Sequence, residues 1–277
     1  MKSIELKGGP HAVLALHGLL GNPNEMQFIG KQLNRAGYTV SIPLIPSYGY
    51  GTGQTGMYRT ARSEQWYVEV ARHFDRLKRE HDSVSVAGLC IGAVLALRLA
   101  SERSDEIAAL SLCSTTLAYD GWNIPAYRFL LPLAYYTPAR YLYSYKERYP
   151  FGIKNQNLRA WIAKEMKTST TLAAGASRLS AECIFQAARL IRRVKKALPQ
   201  VSCPTLIMHA AEDDVASPDN ADLVERRIAS PVKKKILLHD SYHIITLDNE
   251  KQTVANEILE FFNRHAVLCE PGLQRTA

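Results

Sequence analysis

Cys90 sits in Gly88-Leu-Cys-Ile-Gly92, directly after the Val-rich run Ser83-Val-Ser-Val-Ala87 and before an apolar helical stretch. This is the pattern of a nucleophile elbow, Gly-x-nucleophile-x-Gly, with sulfur in place of the usual hydroxyl oxygen. A sharp strand-to-helix turn lifts such a side chain above the sheet, and the glycines let neighbouring backbone pack closely around it. The N–H groups and positive dipole end of the following helix favour thiolate over thiol. Taken alone, the pentapeptide fits a buried cysteine acting as a small hydrophobe equally well. Upstream, Leu16-His17-Gly18-Leu19 closes a first strand with a turn. There the N–H of Leu19, paired with that of Ile91, forms an oxyanion hole for a tetrahedral intermediate. His17 is read as structural, its ring bonded to its own loop. Downstream, Ala211-Glu212-Asp213-Asp214-Val215 follows a strand and offers an orienting carboxylate, Asp213 first and Asp214 in reserve. His243 lies in the loop His239-Asp-Ser-Tyr-His243 before the last helix, where a general base belongs, and His239 is its weaker rival.

These groups need a scaffold that brings strand ends together. Strands are predicted over Ala12–Leu16, Thr39–Ile45, Ser83–Ala87, Ala108–Cys113, Thr205–His209 and Lys234–Leu238. Helices are predicted over Glu25–Ala36, Glu64–His81, Ile91–Ser101, Ala221–Ile228 and Lys251–His265. Trp66, Val70, Phe74 and Leu77 make one apolar stripe at helical spacing. Such alternation specifies an α/β fold with a mostly parallel sheet covered on both faces. It lapses between residues 115 and 200, which are expected to form an inserted, largely helical lid on a core of residues 1–114 and 201–265, followed by a tail, 266–277. The lid holds eight of the fourteen tyrosines, and its Tyr127, Phe129, Leu131, Tyr135 and Tyr136 are candidates to wall an acyl pocket.

Composition narrows the rest. The 277 residues carry a net charge of +8, but the lid alone holds fourteen Lys and Arg against four acids, so the basicity is local. Arg189, Arg192, Arg193 and Lys196 share one helical face, with Lys195 beside them. That face is a solvated surface or a dock for an acyl carrier protein or coenzyme A phosphates. Nucleic acid is not expected, because interleaved aromatics are missing. Five widely spaced cysteines with no Cys-x-x-Cys pair argue against disulfides and zinc, and for a reducing cytoplasm. Neither a transmembrane helix nor a signal peptide is expected, and no cofactor is implied.

The order nucleophile, acid, histidine is that of the α/β-hydrolases. The chain resembles that superfamily from about Ala12 to Phe262, and within it small bacterial carboxylesterases and monoacylglycerol-lipase-like enzymes. The likeness rests on Leu16-His-Gly-Leu-Leu-Gly21, Ala87-Gly-Leu-Cys-Ile-Gly92, the acid loop Glu212-Asp-Asp to Pro218, and Ser241-Tyr-His-Ile-Ile-Thr-Leu-Asp248. It implies an eight-stranded sheet, a Cys90–His243–Asp213 triad, and Leu19 and Ile91 as oxyanion donors. Tyr242 stands where such esterases have glycine, and Cys90 where they have serine. Within this fold, dienelactone hydrolases and polyhydroxyalkanoate synthases also use cysteine. The implied activity is acyl hydrolysis through an acyl-cysteine. Its alternatives are acyl transfer from a coenzyme A or acyl-carrier thioester, or non-catalytic binding of an acyl ligand.

Overall fold

Ala12–Leu16 and Ser83–Leu89 are apolar or small without interruption, which suits strands covered on both faces rather than one. In the computed structural model both lie at the centre of a seven-stranded sheet. The structure describes residues 2–45, 48, 60–146, 148–168, 171–172, 175–176 and 178–266. In chain order the first half comprises β1 (Ile4–Leu6), β2 (His11–Leu16), α1 (Asn24–Arg35), β3 (Thr39–Ile42), α2 (Ser63–Glu80), β4 (Ser83–Leu89), α3 (Ile91–Arg103) and β5 (Leu110–Cys113). Next come α4 (Leu131–Tyr135), α5 (Ala139–Leu142), β6 (Ser144–Lys146), α6 (Gln156–Thr168), β7 (Thr171–Leu172), β8 (Gly175–Ala176), β9 (Arg178–Ser180) and α7 (Ala181–Ala197). The chain ends with β10 (Thr205–Ala210), α8 (Asp219–Arg227), β11 (Lys233–Leu238) and α9 (Lys251–Ala266).

The sheet order is β1-β3-β2-β4-β5-β10-β11, parallel except for β1, which pairs antiparallel with β3. The fold is therefore α/β, a mostly parallel sheet with helices packed on it. Among the described residues the sheet has seven strands, where the resemblance implied eight. The three residues of β1 are too short to leave a periodic signal, and the sequence reading passes over them. Its opposite edge, β11, opens with Lys233-Lys234-Lys235, whose charges discourage pairing with another chain. Helices α1 and α9 pack on each other, while α3 packs on α2 and α7. The α2 stripe of Trp66, Val70, Phe74 and Leu77 is buried.

The stretch between β5 and β10, expected to be largely helical, carries α4 to α7 and some short strands besides. It contains two small antiparallel pairs, β6 with β9 and β7 with β8. Its last helix, α7, is capped by Ser180, whose Oγ accepts the Cys183 N–H. Cys183, Ala187, Leu190 and Val194 recur at i, i+4, i+7 and i+11 and are buried in the main core. The basic side chains Arg189, Arg192, Arg193 and Lys196 occupy the opposite, exposed face of this core helix. Arg193 donates to Glu64 Oε1 at 2.8 Å, so part of that face is paired within the molecule. The proposed tail beyond Ala266 lies outside the described residues.

Candidate active site

Strand register assembles the site. Leu16 at the end of β2 pairs with Gly88 of β4, and Leu89 of β4 pairs with Cys113 of β5, so three strands end side by side. Cys90 follows at the turn into α3 with φ 57° and ψ −119°, a conformation L-residues seldom adopt. Its N–H donates to the Cys113 carbonyl at 2.9 Å. The reason for Gly88 and Gly92 is steric. A Cβ on Gly88 would lie 2.5 Å from the Gly92 carbonyl oxygen, and one on Gly92 would lie 2.4 Å from that of Leu16. The α3 sequence Ile91–Ala100 is buried on all sides, which anchors the turn.

Cys90, His243 and Asp213 come together. His243 Nδ1 bonds the two Asp213 carboxylate oxygens at 2.9 and 2.8 Å. Asp213 Oδ1 also accepts the N–H groups of Val215 and Ala216, both at 2.8 Å, and His209 Nε2 lies 3.2 Å from Oδ2. Burial alone would raise this carboxyl, but the charge of His243 and the bonds from His209 and His243 hold it well below the usual range. With Nδ1 engaged, Nε2 of His243 is the nitrogen left for the thiol, and it is buried with no other hydrogen-bond partner among the described residues. Burial disfavours charge on both Cys90 and His243, yet their mutual attraction prevails. The thiol is lowered and the imidazole, also facing Asp213, is raised well above its ordinary value. Thr116, which the sequence reading did not single out, lies with Oγ1 3.3 Å from Cys90 Sγ and adds to the thiolate's stabilisation, as does the N–H of Ile91. By contrast, burial pushes Cys113 and Cys183 up to about 12 and Cys203 to about 11.

The loop after β2 carries Leu19, the other expected donor. Leu19 N–H has no partner among the described residues. Gly18 N–H donates to Glu25 Oε2 at 2.8 Å, Gly21 N–H closes a turn on the Gly18 carbonyl at 3.1 Å, and Leu20 takes a left-handed φ of 62°. Glu25, at the start of α1, was also missed from sequence; a buried acid among helix residues reads as surface. His17 Nδ1 donates to the Gly18 carbonyl at 2.9 Å and Nε2 accepts from Ile45 N–H at 3.4 Å. Burial lowers this imidazole to about 4, with the Gly18 bond acting weakly the other way. The ring is thus neutral in the folded state, and an NMR titration should find its Cε1–H shift constant from pH 8 down to about 5.5. Protonation near pH 6.5 would mean the loop is not held this way.

A cavity of about 210 Å³ opens beside Cys90 and His243. Gly18, Leu19, Tyr119, Ile124, Tyr127, Arg128, Leu131, Arg148, Gly152 and Asp214 are among the residues around it. Of the five expected pocket residues, Tyr127 and Leu131 line it. Phe129 and Tyr136 point to solvent, 73% and 74% exposed, and Tyr135 stacks on Phe185 instead. Tyr127 lies in the short 3-10 turn Ala126–Leu130 that leads into α4, so residues two apart such as 127 and 129 point in different directions. None of Arg189, Arg192, Arg193, Lys195 and Lys196 lines the cavity. His239 is exposed, and its carbonyl receives Lys154 Nζ. Asp248, part of the histidine motif, accepts the N–H groups of Tyr242, Lys154 and Asn155, tying the base of the segment before α6 to the His243 loop.

The chain is similar to known proteins over nearly its whole length. A thermostable monoacylglycerol lipase of Bacillus sp. (strain H-257) is 30% identical over 260 residues, covering 94% of this chain and 93% of that one. A carboxylesterase of Bacillus subtilis (strain 168) is 25% identical over 269 residues, 95% of this chain and 96% of its own. Among solved structures, the monoacylglycerol lipase of Paleococcus ferrophilus shares the fold with a TM-score of 0.77 at 17% identity, over 95% of this chain and 98% of that one. Among the described residues no helix is long and apolar enough to cross a membrane. The family model described as serine aminopeptidase, S33 (Hydrolase_4) matches residues 10–251, and with Cys90 at the centre of its elbow this chain belongs to that family.

Proposed function

We propose that the protein is an esterase- or lipase-type acyl hydrolase that works through an acyl-cysteine on lipid-like esters. The observation that carries the reading is Cys90 on a strained elbow, with a buried histidine beside it whose far nitrogen is held by a buried aspartate. The Cys90 thiolate attacks the ester carbonyl carbon, and the carbonyl oxygen gains the charge. Leu19 and Ile91 N–H groups receive that oxyanion. Collapse of the intermediate expels the alcohol, which takes the proton from His243 Nε2, leaving a thioester on Cys90. Water then attacks, its proton passing to His243, and the acid leaves as the thiolate reforms. Asp213 keeps the ring oriented and stabilises its charged form throughout. A thioester also passes its acyl group to amines and thiols, so acyl transfer is a second outcome of the same intermediate.

Intact mass spectrometry after a panel of esters and thioesters, with and without amine or thiol acceptors, tests this. An acyl adduct located on Cys90 is the expected result, and an adduct elsewhere or none at all during turnover overturns it. Iodoacetamide should label Cys90 ahead of Cys113, Cys183 and Cys203, with a rate that persists below the ordinary thiol range of about 8.5. The cavity wall should set chain length: Leu131→Ala is expected to alter the ratio of kcat/KM between short and long acyl esters by about tenfold, roughly 1.4 kcal/mol of differential binding. An equal loss for every ester would remove Leu131 from the acyl wall.

A further inference from the structure

The triad does not use Thr116, yet its hydroxyl lies against the nucleophile. β5 ends at Cys113, and the three residues after it, Ser114, Thr115 and Thr116, are all fully buried. The hydroxyls of Ser114 and Thr115 bond nothing among the described residues, while Thr116 Oγ1 has two neighbours. Cys90 Sγ lies at 3.3 Å and the Ser114 carbonyl oxygen at 3.2 Å. A hydroxyl has one hydrogen to give, so it serves one of these acceptors at a time. An ionised acceptor makes the stronger bond, so a thiolate outcompetes the carbonyl and a neutral thioester does not. The backbone around Thr116 is fixed on both sides. Ser114 takes a left-handed φ of 45°, with its N–H on the Met208 carbonyl of β10 at 2.9 Å. Asn220 Oδ1 accepts the N–H groups of Leu117 and Ala118 at 2.9 and 2.7 Å, and its Nδ2 donates to the Ser217 carbonyl and Asp120 Oδ1, both at 2.9 Å.

We infer that Thr116 is a further catalytic residue, a two-position donor that bonds the Cys90 sulfur while it is a thiolate and turns to the Ser114 carbonyl while it is acylated. This rests on the acyl-cysteine reading above. In the resting pair of thiolate and imidazolium the hydroxyl points at the sulfur. As the sulfur's electron pair forms the bond to the ester carbonyl carbon, the charge passes to the carbonyl oxygen and the hydroxyl turns to Ser114. Later, water adds to the thioester and its proton goes to His243. The C–S bond then breaks, its electron pair returns to sulfur, and the hydroxyl turns back. Thr116 itself neither gains nor loses a proton. It serves the sulfur as an oxyanion hole serves a carbonyl oxygen, with a donor already in place where charge develops. Only the hydroxyl hydrogen has to move, because both acceptors are within reach of one Oγ1 position.

The test is the pH dependence of iodoacetamide alkylation at Cys90, followed by intact mass in wild type, Thr116→Val and Thr116→Ser, beside a thermal melt of each. Valine keeps the shape and removes the hydroxyl. Losing a donor disfavours the charged form, so the alkylation midpoint of Thr116→Val should rise by about one pH unit. Thr116→Ser restores a hydroxyl and should return the midpoint to within about 0.3 unit of wild type. The other titratable groups around the sulfur are His243 backed by Asp213, Glu25 from α1, Tyr48, Tyr119, and Cys183 of α7. Burial raises both tyrosines well above their ordinary value and Cys183 to about 12, and none of the six is altered by the substitutions. A second readout follows the acyl-enzyme. After a pulse of p-nitrophenyl butyrate, acyl-Cys90 should decay about threefold or more slowly in Thr116→Val, because the departing thiolate has lost its donor. A packing role alone would lower the melt and move neither readout. An unchanged midpoint in Thr116→Val overturns the inference, as does a serine variant that follows valine. If the valine variant does not fold, Thr116→Ala removes the same hydroxyl and carries the same expectations. The two levels separate cleanly. If acyl-Cys90 forms while midpoint and decay stay as in wild type, only the role of Thr116 fails; if no ester acylates Cys90 in any of these proteins, the underlying reading fails.

Discussion

Cys90→Ala should leave a folded protein with its ester turnover lowered by about 10⁴-fold or more, since what survives loss of a triad nucleophile is only binding and oxyanion stabilisation. The fold should tolerate the change. Alanine gives up the sulfur's interactions with Thr116 Oγ1 at 3.3 Å, with His243 and with the Ile91 N–H, but the turn is held by backbone bonds that alanine keeps, including Cys90 N–H to the Cys113 carbonyl at 2.9 Å. The measurement is kcat/KM on a small soluble ester, beside a thermal melt. Retained activity with an unchanged melt would rule out Cys90 as the nucleophile. Cys90→Ser is expected to keep some hydrolysis, because the hydroxyl occupies the same elbow. It should fall well short of wild type, since the thiolate-stabilising attraction between Cys90 and His243 does little for a much weaker acid.

Gly92→Ala should both destabilise the fold and disturb the site. Its Cβ would lie 2.4 Å from the Leu16 carbonyl oxygen, 2.5 Å from that of His17 and 2.8 Å from the Leu16 carbonyl carbon. All three are backbone atoms of the strand end and the loop after it, so no side chain can swing aside. Overpacking of this kind costs about 1–3 kcal/mol and here should reach or exceed the top of that range. Relief requires moving His17, Gly18 and Leu19, so activity per folded molecule should fall as well. Gly37→Ala is the matched control. Gly37 has φ +101° with nothing within 4 Å of the added Cβ, so it carries backbone strain of about 1–3 kcal/mol and no clash. Chemical denaturation and kcat on both variants distinguish them: Gly37→Ala should be destabilised at full specific activity, and Gly92→Ala should lose both. Full activity in Gly92→Ala would mean the elbow and the loop are not in the contact described.

The short-range features were legible from the residues. Unbroken apolar runs mark the central strands, the stripe from Trp66 to Leu77 marks a buried helix face, and Gly-x-Cys-x-Gly marks a strained turn, because each depends on sterics within a few residues. The order of Cys90, Asp213 and His243 along the chain was equally plain. What the sequence left open was decided by groups far apart in it. Asp213 and Asp214 are adjacent, and only the rotation of their loop, set by bonds to Val215, Ala216 and Gly152, turns one toward His243 and the other toward the cavity. Thr116 reaches Cys90 from beyond β5, and Glu25 reaches Gly18 from α1, with nothing local to announce either. The basic stripe looked like part of a lid; in the structure it is the wet side of a helix whose dry side belongs to the core. Tyr127 and Leu131 line the cavity while Phe129 and Tyr136 face solvent, since composition names apolar residues but only packing decides which way a helix is turned. Local sterics and periodicity write the elements and the elbow into the sequence, whereas the direction of each side chain around the site is a sum of long-range contacts that exists only once the chain has folded.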